Sequence, residues 1–90
     1  MAQQFMVIET FRAGCLEEAY DRFESKGRML PDGLMYIDSW LEESGARCFQ
    51  LMETSDPSLF QQWTLDWEDL VQFEVIPIGG KPSSSQAPAS

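Results

Sequence analysis

Four side chains in this 90-residue chain carry groups that could do chemistry, and they lie in segments rich in β-branched and aromatic residues. They are Glu9, Asp38, Cys48 and Gln50. A carboxyl group that is buried against an apolar surface can act as a general acid or base, because burial raises its pKa. A thiol can act as a nucleophile where a cation stabilises the thiolate. The aromatic side chains of Tyr36 and Trp40 could stack on a flat ligand beside these groups.

Each group also has a simpler interpretation. Glu9 and Asp38 could hydrogen-bond neighbouring polar groups or lie in water at the rim of a surface. Cys48 has no cationic neighbour in the nearby sequence, which favours a buried structural cysteine over a nucleophile. Tyr36 and Trp40 suit a dimer interface as well as they suit a ligand. Whether the chain is an enzyme therefore stays open.

The composition removes several kinds of catalytic and metal site. The chain contains no histidine, which excludes histidine-activated serine or cysteine nucleophiles and metal sites built on imidazole. Cys15 and Cys48 form no Cys-x-x-Cys motif, and we interpret them as two reduced thiols. Glu9, Asp38 and Glu53 could in principle hold Mg²⁺, but their spacing does not demand it. We predict no metal site and no cofactor.

The charge of the chain limits its partners. A net charge of −9 repels phosphate backbones and anionic lipid surfaces, so neither nucleic acid nor a membrane is an expected partner. No apolar stretch approaches roughly 18 residues, and no basic segment followed by an apolar run opens the chain. These features predict a cytoplasmic protein.

Hydrophobic periodicity predicts six elements in one domain. Alternating or continuous apolar runs predict strands, and apolar residues at helical spacing predict helices. Leu16, Ala19, Tyr20 and Phe23 form one helical stripe that ends near Gly27, and Asp56-Pro57 is typical of a second helix start. The predicted strands are 4–11, 71–78 and the two arms of a hairpin within 35–54. Residues 1–78 form the predicted domain, and 79–90 a disordered Gly/Pro/Ser-rich tail.

The register of the hairpin decides which of its side chains share a face. A three-residue turn, 43–45, with Gly45 in the left-handed conformation would place Trp40 opposite Cys48, Asp38 opposite Gln50 and Tyr36 opposite Met52. A two-residue turn at Ser44-Gly45 would instead place Glu42 opposite Arg47. We prefer the first register because it separates polar from apolar residues better, but the sequence leaves the second open.

The order β-α-β-β-α-β predicts an α+β, ferredoxin-like fold with a four-stranded antiparallel sheet and both helices on one face. We expect the helices to cover the face that carries Met6, Ile8, Ile37, Leu41, Phe49 and Leu51. The open face would then carry a mixed set of aromatic, apolar and polar side chains: Phe5, Val7, Glu9, Phe11, Tyr36, Asp38, Trp40, Cys48, Gln50, Met52 and possibly Glu74. So large an aromatic surface predicts a homodimer that packs two open faces together. Its interspersed polar groups indicate a lined cavity.

Five strings of the sequence resemble a small bacterial family catalogued as a domain of unknown function, DUF3303. They are Phe5-Met-Val-Ile-Glu9, Gly27-Arg-Met-Leu-Pro31, Asp38-Ser-Trp40, Cys48-Phe-Gln-Leu-Met-Glu53 and Asp69-Leu-Val-Gln-Phe-Glu-Val75. The resemblance covers about residues 4 to 78, and it implies the dimeric α/β-barrel form of the ferredoxin-like fold. It implies no reaction, because the family has none assigned.

Two functional hypotheses follow. The first is a homodimer that binds or transforms a small, partly apolar molecule through Glu9, Tyr36, Asp38, Trp40, Cys48 and Gln50. The second is a structural or protein-interaction dimer in which the same face is consumed by the contact between copies. A further alternative, a cofactor-independent monooxygenase-like enzyme, rests on fold analogy alone.

Overall fold

The six predicted elements are all present in a computed structural model that describes residues 2–79. In chain order they are β1 (Gln3–Phe11), α1 (Leu16–Lys26), β2 (Met35–Leu41), β3 (Arg47–Thr54), α2 (Ser58–Thr64) and β4 (Val71–Ile78). The four strands form one antiparallel sheet in the order β2-β3-β1-β4. This topology confirms the predicted ferredoxin-like α+β fold.

The helices cover the opposite face of the sheet from the one that the sequence indicated. Phe5, Val7 and Met52, all predicted to be on the open face, are at most 4% exposed. They pack against Phe60 and Trp63 of α2, and the Phe5 and Phe60 rings meet edge to face at 4.9 Å. Of the six residues expected beneath the helices, Leu41 does lie on the covered face, opposite Cys48, but four others do not. Met6, Ile8, Phe49 and Leu51 line the open face, and Ile37 is 42% exposed.

The hairpin contains a β-bulge that combines the two registers considered from the sequence. Near the start of β2 and the end of β3, Tyr36 lies opposite Met52, as predicted. The register then shifts between Tyr36 and Asp38, leaving Ile37 as the extra residue, and the predicted Trp40–Cys48 and Asp38–Gln50 pairs are wrong. Asp38 lies opposite Leu51, Ser39 opposite Gln50, Trp40 opposite Phe49, and Leu41 opposite Cys48.

The turn end of the hairpin follows the alternative register. The Glu42 N–H donates to the Arg47 carbonyl at 2.8 Å, and the two side chains form an ion pair at 2.7 Å. Gly45 has a φ of 79°, which is the left-handed conformation predicted for it, and its N–H closes the turn on the Glu42 carbonyl. Because side chains alternate along a strand, the bulge moves Asp38 and Trp40 to the face opposite Tyr36.

Arg22 connects α1 to the segment that follows α2. Arg22 of α1 forms two hydrogen bonds of 2.8 Å with the Asp69 carboxylate and one of 2.8 Å with the Asp66 carbonyl.

α2 begins where predicted, because the Asp56 side chain accepts the Ser58 N–H at 3.1 Å. The helix ends at Thr64, and Trp67 and Leu70 lie in the turns that follow and are buried.

The sequence predicts one domain over residues 1–78, followed by a disordered tail. The tail predicted for 79–90 lies outside the described residues except for Gly79. Within residues 2–79, no helix is long and apolar enough to cross a membrane.

Candidate functional site

A pocket of about 470 Å³ lies between the sheet and the helices, at the end of the covered face where β2 and β3 pass α1. We call it the Arg28 pocket. Its lining combines aromatic and apolar side chains with a few polar groups that converge on it. The lining residues are Glu9, Phe11, Ala19, Tyr20, Phe23, Glu24, Arg28, Ser39, Leu41, Cys48, Gln50, Trp63, Trp67 and Val71.

Four of the six candidate site residues from the sequence lie at this pocket. Glu9, Cys48 and Gln50 line it from the two central strands, β1 and β3. Tyr36 contacts Arg28, which also lines the pocket, and its hydroxyl lies 2.6 Å from that of Ser39. These residues come together on the face that the helices cover rather than on the open face.

The two remaining candidates lie on the opposite face of the sheet. Trp40 is 50% exposed and lies opposite Phe49. Asp38 is exposed, and its carboxylate accepts the backbone N–H of Ser39 at 2.8 Å. The expectation that Asp38 and Trp40 share a site with Gln50 is therefore wrong, because the bulge at Ile37 separates them.

Arg28 is the cationic side chain of the pocket, and it was not among the residues selected from the sequence. It follows α1 in the loop that leads to β2, and its backbone carbonyl accepts hydrogen bonds from the indole nitrogens of Trp63 at 2.8 Å and Trp67 at 3.1 Å. The next residue, Met29, has a φ of 58°, in the left-handed region that a non-glycine residue rarely adopts. Two buried tryptophans therefore hold the main chain of Arg28 in place.

The Arg28 guanidinium is held between aromatic rings. Its central carbon lies 3.6 Å from the centroid of the Tyr36 ring and 4.8 Å from that of Phe23. Its Nε donates to the Gln50 side-chain oxygen at 3.4 Å, a long hydrogen bond. Stacking on aromatic faces suits a planar guanidinium and leaves its edge available for hydrogen bonding.

Glu9 is the carboxyl group of the pocket whose pKa is perturbed. It lies opposite Cys48 on β3 and Phe73 on β4. Burial raises the pKa of Glu9 above its ordinary value near 4.5, although hydrogen bonding with Gln50 and the nearby Arg28 charge partly offset the shift. A buried carboxyl group whose pKa is raised can act as a general acid or base toward a ligand in the pocket.

Cys48 is not an activated nucleophile. Burial, followed by the charge of Glu9, raises the pKa of the Cys48 thiol from 9.0 to about 11, even though Arg28 acts in the other direction. The thiol therefore stays protonated at neutral pH, which agrees with the interpretation of Cys48 as a structural cysteine. Both cysteines are free.

Metal ligation finds no support in this geometry. Across residues 2–79, His, Cys, Asp and Glu side chains form no cluster of three that could hold an ion. Of the carboxylates considered for Mg²⁺, Glu9 lies on the covered face and Asp38 on the open one.

The sequence contains one local feature that points to Arg28. Arg28 precedes Met29 and Leu30, so a cation adjoins apolar residues that pack against the core. Its partners Gln50 and Tyr36 lie on separate strands, and no spacing rule connects them to a loop residue.

Comparison with known proteins gives one match. Residues 3–80 match the family model described as "Domain of unknown function (DUF3303)", which confirms the resemblance seen in the sequence strings. No curated protein and no solved structure matches significantly. The chain therefore belongs to the DUF3303 family.

Proposed function

We propose that this member of the DUF3303 family binds a small, partly apolar molecule in the Arg28 pocket. The observation that carries the proposal is the pocket itself, about 470 Å³ with aromatic walls and the convergent polar groups of Glu9, Arg28 and Gln50. Ligand sites in proteins typically enclose roughly 300–1,000 Å³ and combine apolar walls with a few placed polar groups.

The architecture of the pocket also supports binding over simple packing. Tyr20 and Phe23 of α1 line it and are 47% and 41% exposed, so these aromatic rings are not consumed by the core. Meanwhile Gln50 is 5% exposed, and its side chain already has Arg28 as a partner. A preorganised polar floor beneath incompletely covered aromatic rings is suited to a flat ligand.

The test uses 2-naphthol, a flat neutral probe, and backbone amide resonances measured by NMR. We expect titration to shift the resonances of Phe23, Ser39 and Leu41 more than those of Ile8 and Leu51 on the open face. Shifts confined to the open face, or no saturable shift at all, would contradict the proposal.

Matched variants at Ser39 locate the binding. Ser39→Leu places a larger side chain in the pocket and should abolish the shifts, whereas Ser39→Ala keeps the space open and should preserve them. Asp38→Leu adds the same side chain to the opposite face of the same strand and serves as the control. Equal binding by the Ser39→Leu and Ser39→Ala variants would place the probe elsewhere.

A second candidate function is a homodimer formed through the open face. The observation that favours it is the arrangement of this face, which has Met6, Ile8, Phe49 and Leu51 at its centre, all partly buried. Trp40 and Ile76 lie beside them at 50% and 39% exposure. A second copy of the chain, packed sheet to sheet, would cover this apolar centre, as the family resemblance implies. This function is compatible with a pocket, because the two lie on opposite faces.

The dimer is tested by light scattering coupled to size-exclusion chromatography. We expect the wild-type protein to have twice the chain mass of 10.3 kDa, and Trp40→Asp to reduce it to a monomer. Leu65→Asp is the control, because Leu65 is an even more exposed apolar residue, at 62%, that lies just beyond α2. A Trp40→Asp protein that stays dimeric at micromolar concentration would exclude the open face as the interface.

A further inference from the structure

We infer that the Arg28 pocket recognises the carboxylate of a flat, partly apolar organic acid, with the edge of the Arg28 guanidinium as the anion-binding group. This inference rests on the proposed function and names the chemical class of its ligand. It is carried by the way in which Arg28 is anchored, stacked and left without a carboxylate partner.

Two of the other three arginines of the described chain pair with carboxylates. Arg22 forms a two-point contact with the Asp69 carboxylate, and Arg47 an ion pair with Glu42. Arg12 donates its Nε to the Glu68 carbonyl and, like Arg28, forms no ion pair within residues 2–79, but it is exposed and lies outside the Arg28 pocket. Within residues 2–79, Arg28 forms no ion pair, and its one side-chain hydrogen bond uses Nε. Glu9 and Glu24 also line the pocket, but neither forms an ion pair with Arg28, which leaves its terminal nitrogens suited to an external carboxylate.

The position of Arg28 is fixed before any ligand arrives. Trp63 and Trp67 hold its carbonyl, while Phe23 and Tyr36 hold the plane of its guanidinium. A guanidinium constrained in this way loses little conformational freedom on binding, and its terminal nitrogens match the two oxygens of a carboxylate. Of these two rings, Phe23 also lines the pocket and supplies part of a wall for an apolar body.

The charges around Arg28 favour a carboxylate over a phosphate. The titratable groups that line the pocket with it are Glu9 of β1, Tyr20 and Glu24 of α1, and Cys48 of β3. Arg28 is a single cation beside two carboxyl groups in a chain of net charge −9. It could therefore offset only part of the negative charge of a phosphate dianion. A single carboxylate needs only one guanidinium.

Glu9 then acts as a polar partner of the bound acid. Since burial raises its pKa, the protonated form is favoured in the pocket relative to water, and a protonated Glu9 can donate a hydrogen bond to a carboxylate oxygen. An ionised Glu9 would instead repel the ligand and compete for Arg28. Carboxylate binding should therefore weaken as the pH rises through the titration of Glu9.

The experiment compares 2-naphthoate with 2-naphthamide, which share one flat ring system and differ in charge. Isothermal titration of the wild-type chain should show naphthoate binding about tenfold or more tighter, the scale expected for a charge-assisted contact. Arg28→Met should remove this preference, so that naphthoate binds no more tightly than naphthamide. Arg28→Lys should retain part of it, because the charge remains but the planar fork is lost.

Arg47→Met is the matched control. Arg47 also lies over an aromatic ring, 5.2 Å from the Phe49 centroid, but outside the pocket lining. Arg47→Met should leave the preference for naphthoate over naphthamide unchanged. Thermal melts should show that Arg28→Met, Arg28→Lys and Arg47→Met are all folded. Equal affinities for the two probes in the wild type, or a preference that survives Arg28→Met, would overturn the carboxylate assignment while leaving the pocket intact. Binding of neither probe would overturn the proposed function and this inference with it.

Discussion

The two faces of the sheet both combine apolar and polar side chains, but they place their polar groups in opposite ways. On the face that the helices cover, Glu9 and Gln50 lie inside the domain beside Arg28. On the open face, charged side chains such as Asp38 and Glu74 are exposed around an apolar centre. Buried polar groups need partners, and here the partners themselves form a pocket. The proposed ligand pocket rests on the polar groups of the covered face, and the proposed dimer contact on the apolar centre of the open face.

The largest expected effect comes from placing a charge at neighbouring positions of β1. Val7 is fully buried on the covered face, whereas Ile8 is partly buried on the open face. Val7→Asp should reduce the free energy of unfolding by more than about 3 kcal/mol, because it buries an unpaired carboxylate. Ile8→Asp should reduce it by less than about 2 kcal/mol, since its carboxylate can reach water. Urea titrations at low protein concentration measure both, and the reverse ranking would invert the assignment of the faces.

The sequence could predict the elements of this fold better than it could predict their orientation. The spacing of Leu16, Ala19 and Phe23, and the Asp56-Pro57 start, are local signals that tertiary contacts did not override. The faces of β3 could not be assigned in this way. Phe49 and Leu51 are more apolar than Cys48 and Gln50, so hydropathy favours the wrong side.

The inversion has a physical cause in contacts that are distant in sequence. Gln50 is buried on the covered face because Arg28, 22 residues earlier, supplies its partner. The bulge at Ile37 is equally hidden, since neither glycine nor proline marks it. It divides the six predicted site residues into four at the pocket and two on the open face.

The alkylation rates of thiols on the two faces of the sheet provide a second way to compare the faces. The pKa of Cys48 is raised to about 11 from 9.0, so its thiolate fraction at pH 8 should fall about a hundredfold below that of the unfolded chain. Alkylation by iodoacetamide, followed by mass spectrometry of the peptide that begins at Cys48, should slow accordingly and recover in urea. A cysteine introduced on the open face by Gln72→Cys, at an exposed position, should react at nearly its unfolded rate. Equal rates for the two thiols in the folded protein would contradict burial of Cys48.

The smallest expected effect is the pH dependence contributed by Glu9. Its pKa is raised in the folded chain, so folding favours the protonated form, and the stability this adds is fully present below its ordinary pKa near 4.5. That stability is lost as the pH rises through the folded value. Glu9→Gln has no such titration, so its melting temperature relative to wild type should be higher at pH 8 than at pH 4. A change of about 1 kcal/mol would appear as roughly 4–8 °C in a domain of this size.

Glu74→Gln is the control on the open face, where the side chain is exposed and lies opposite Ile8. Its melting temperature relative to wild type should change less between pH 4 and pH 8 than that of Glu9→Gln. If Glu9→Gln instead loses stability as the pH rises, the Glu9 carboxylate is stabilised by Arg28 more than burial destabilises it. The pocket would then hold an internal ion pair at neutral pH. A ligand carboxylate would have to displace Glu9 from Arg28, and the preference for naphthoate over naphthamide would shrink together with the pH effect.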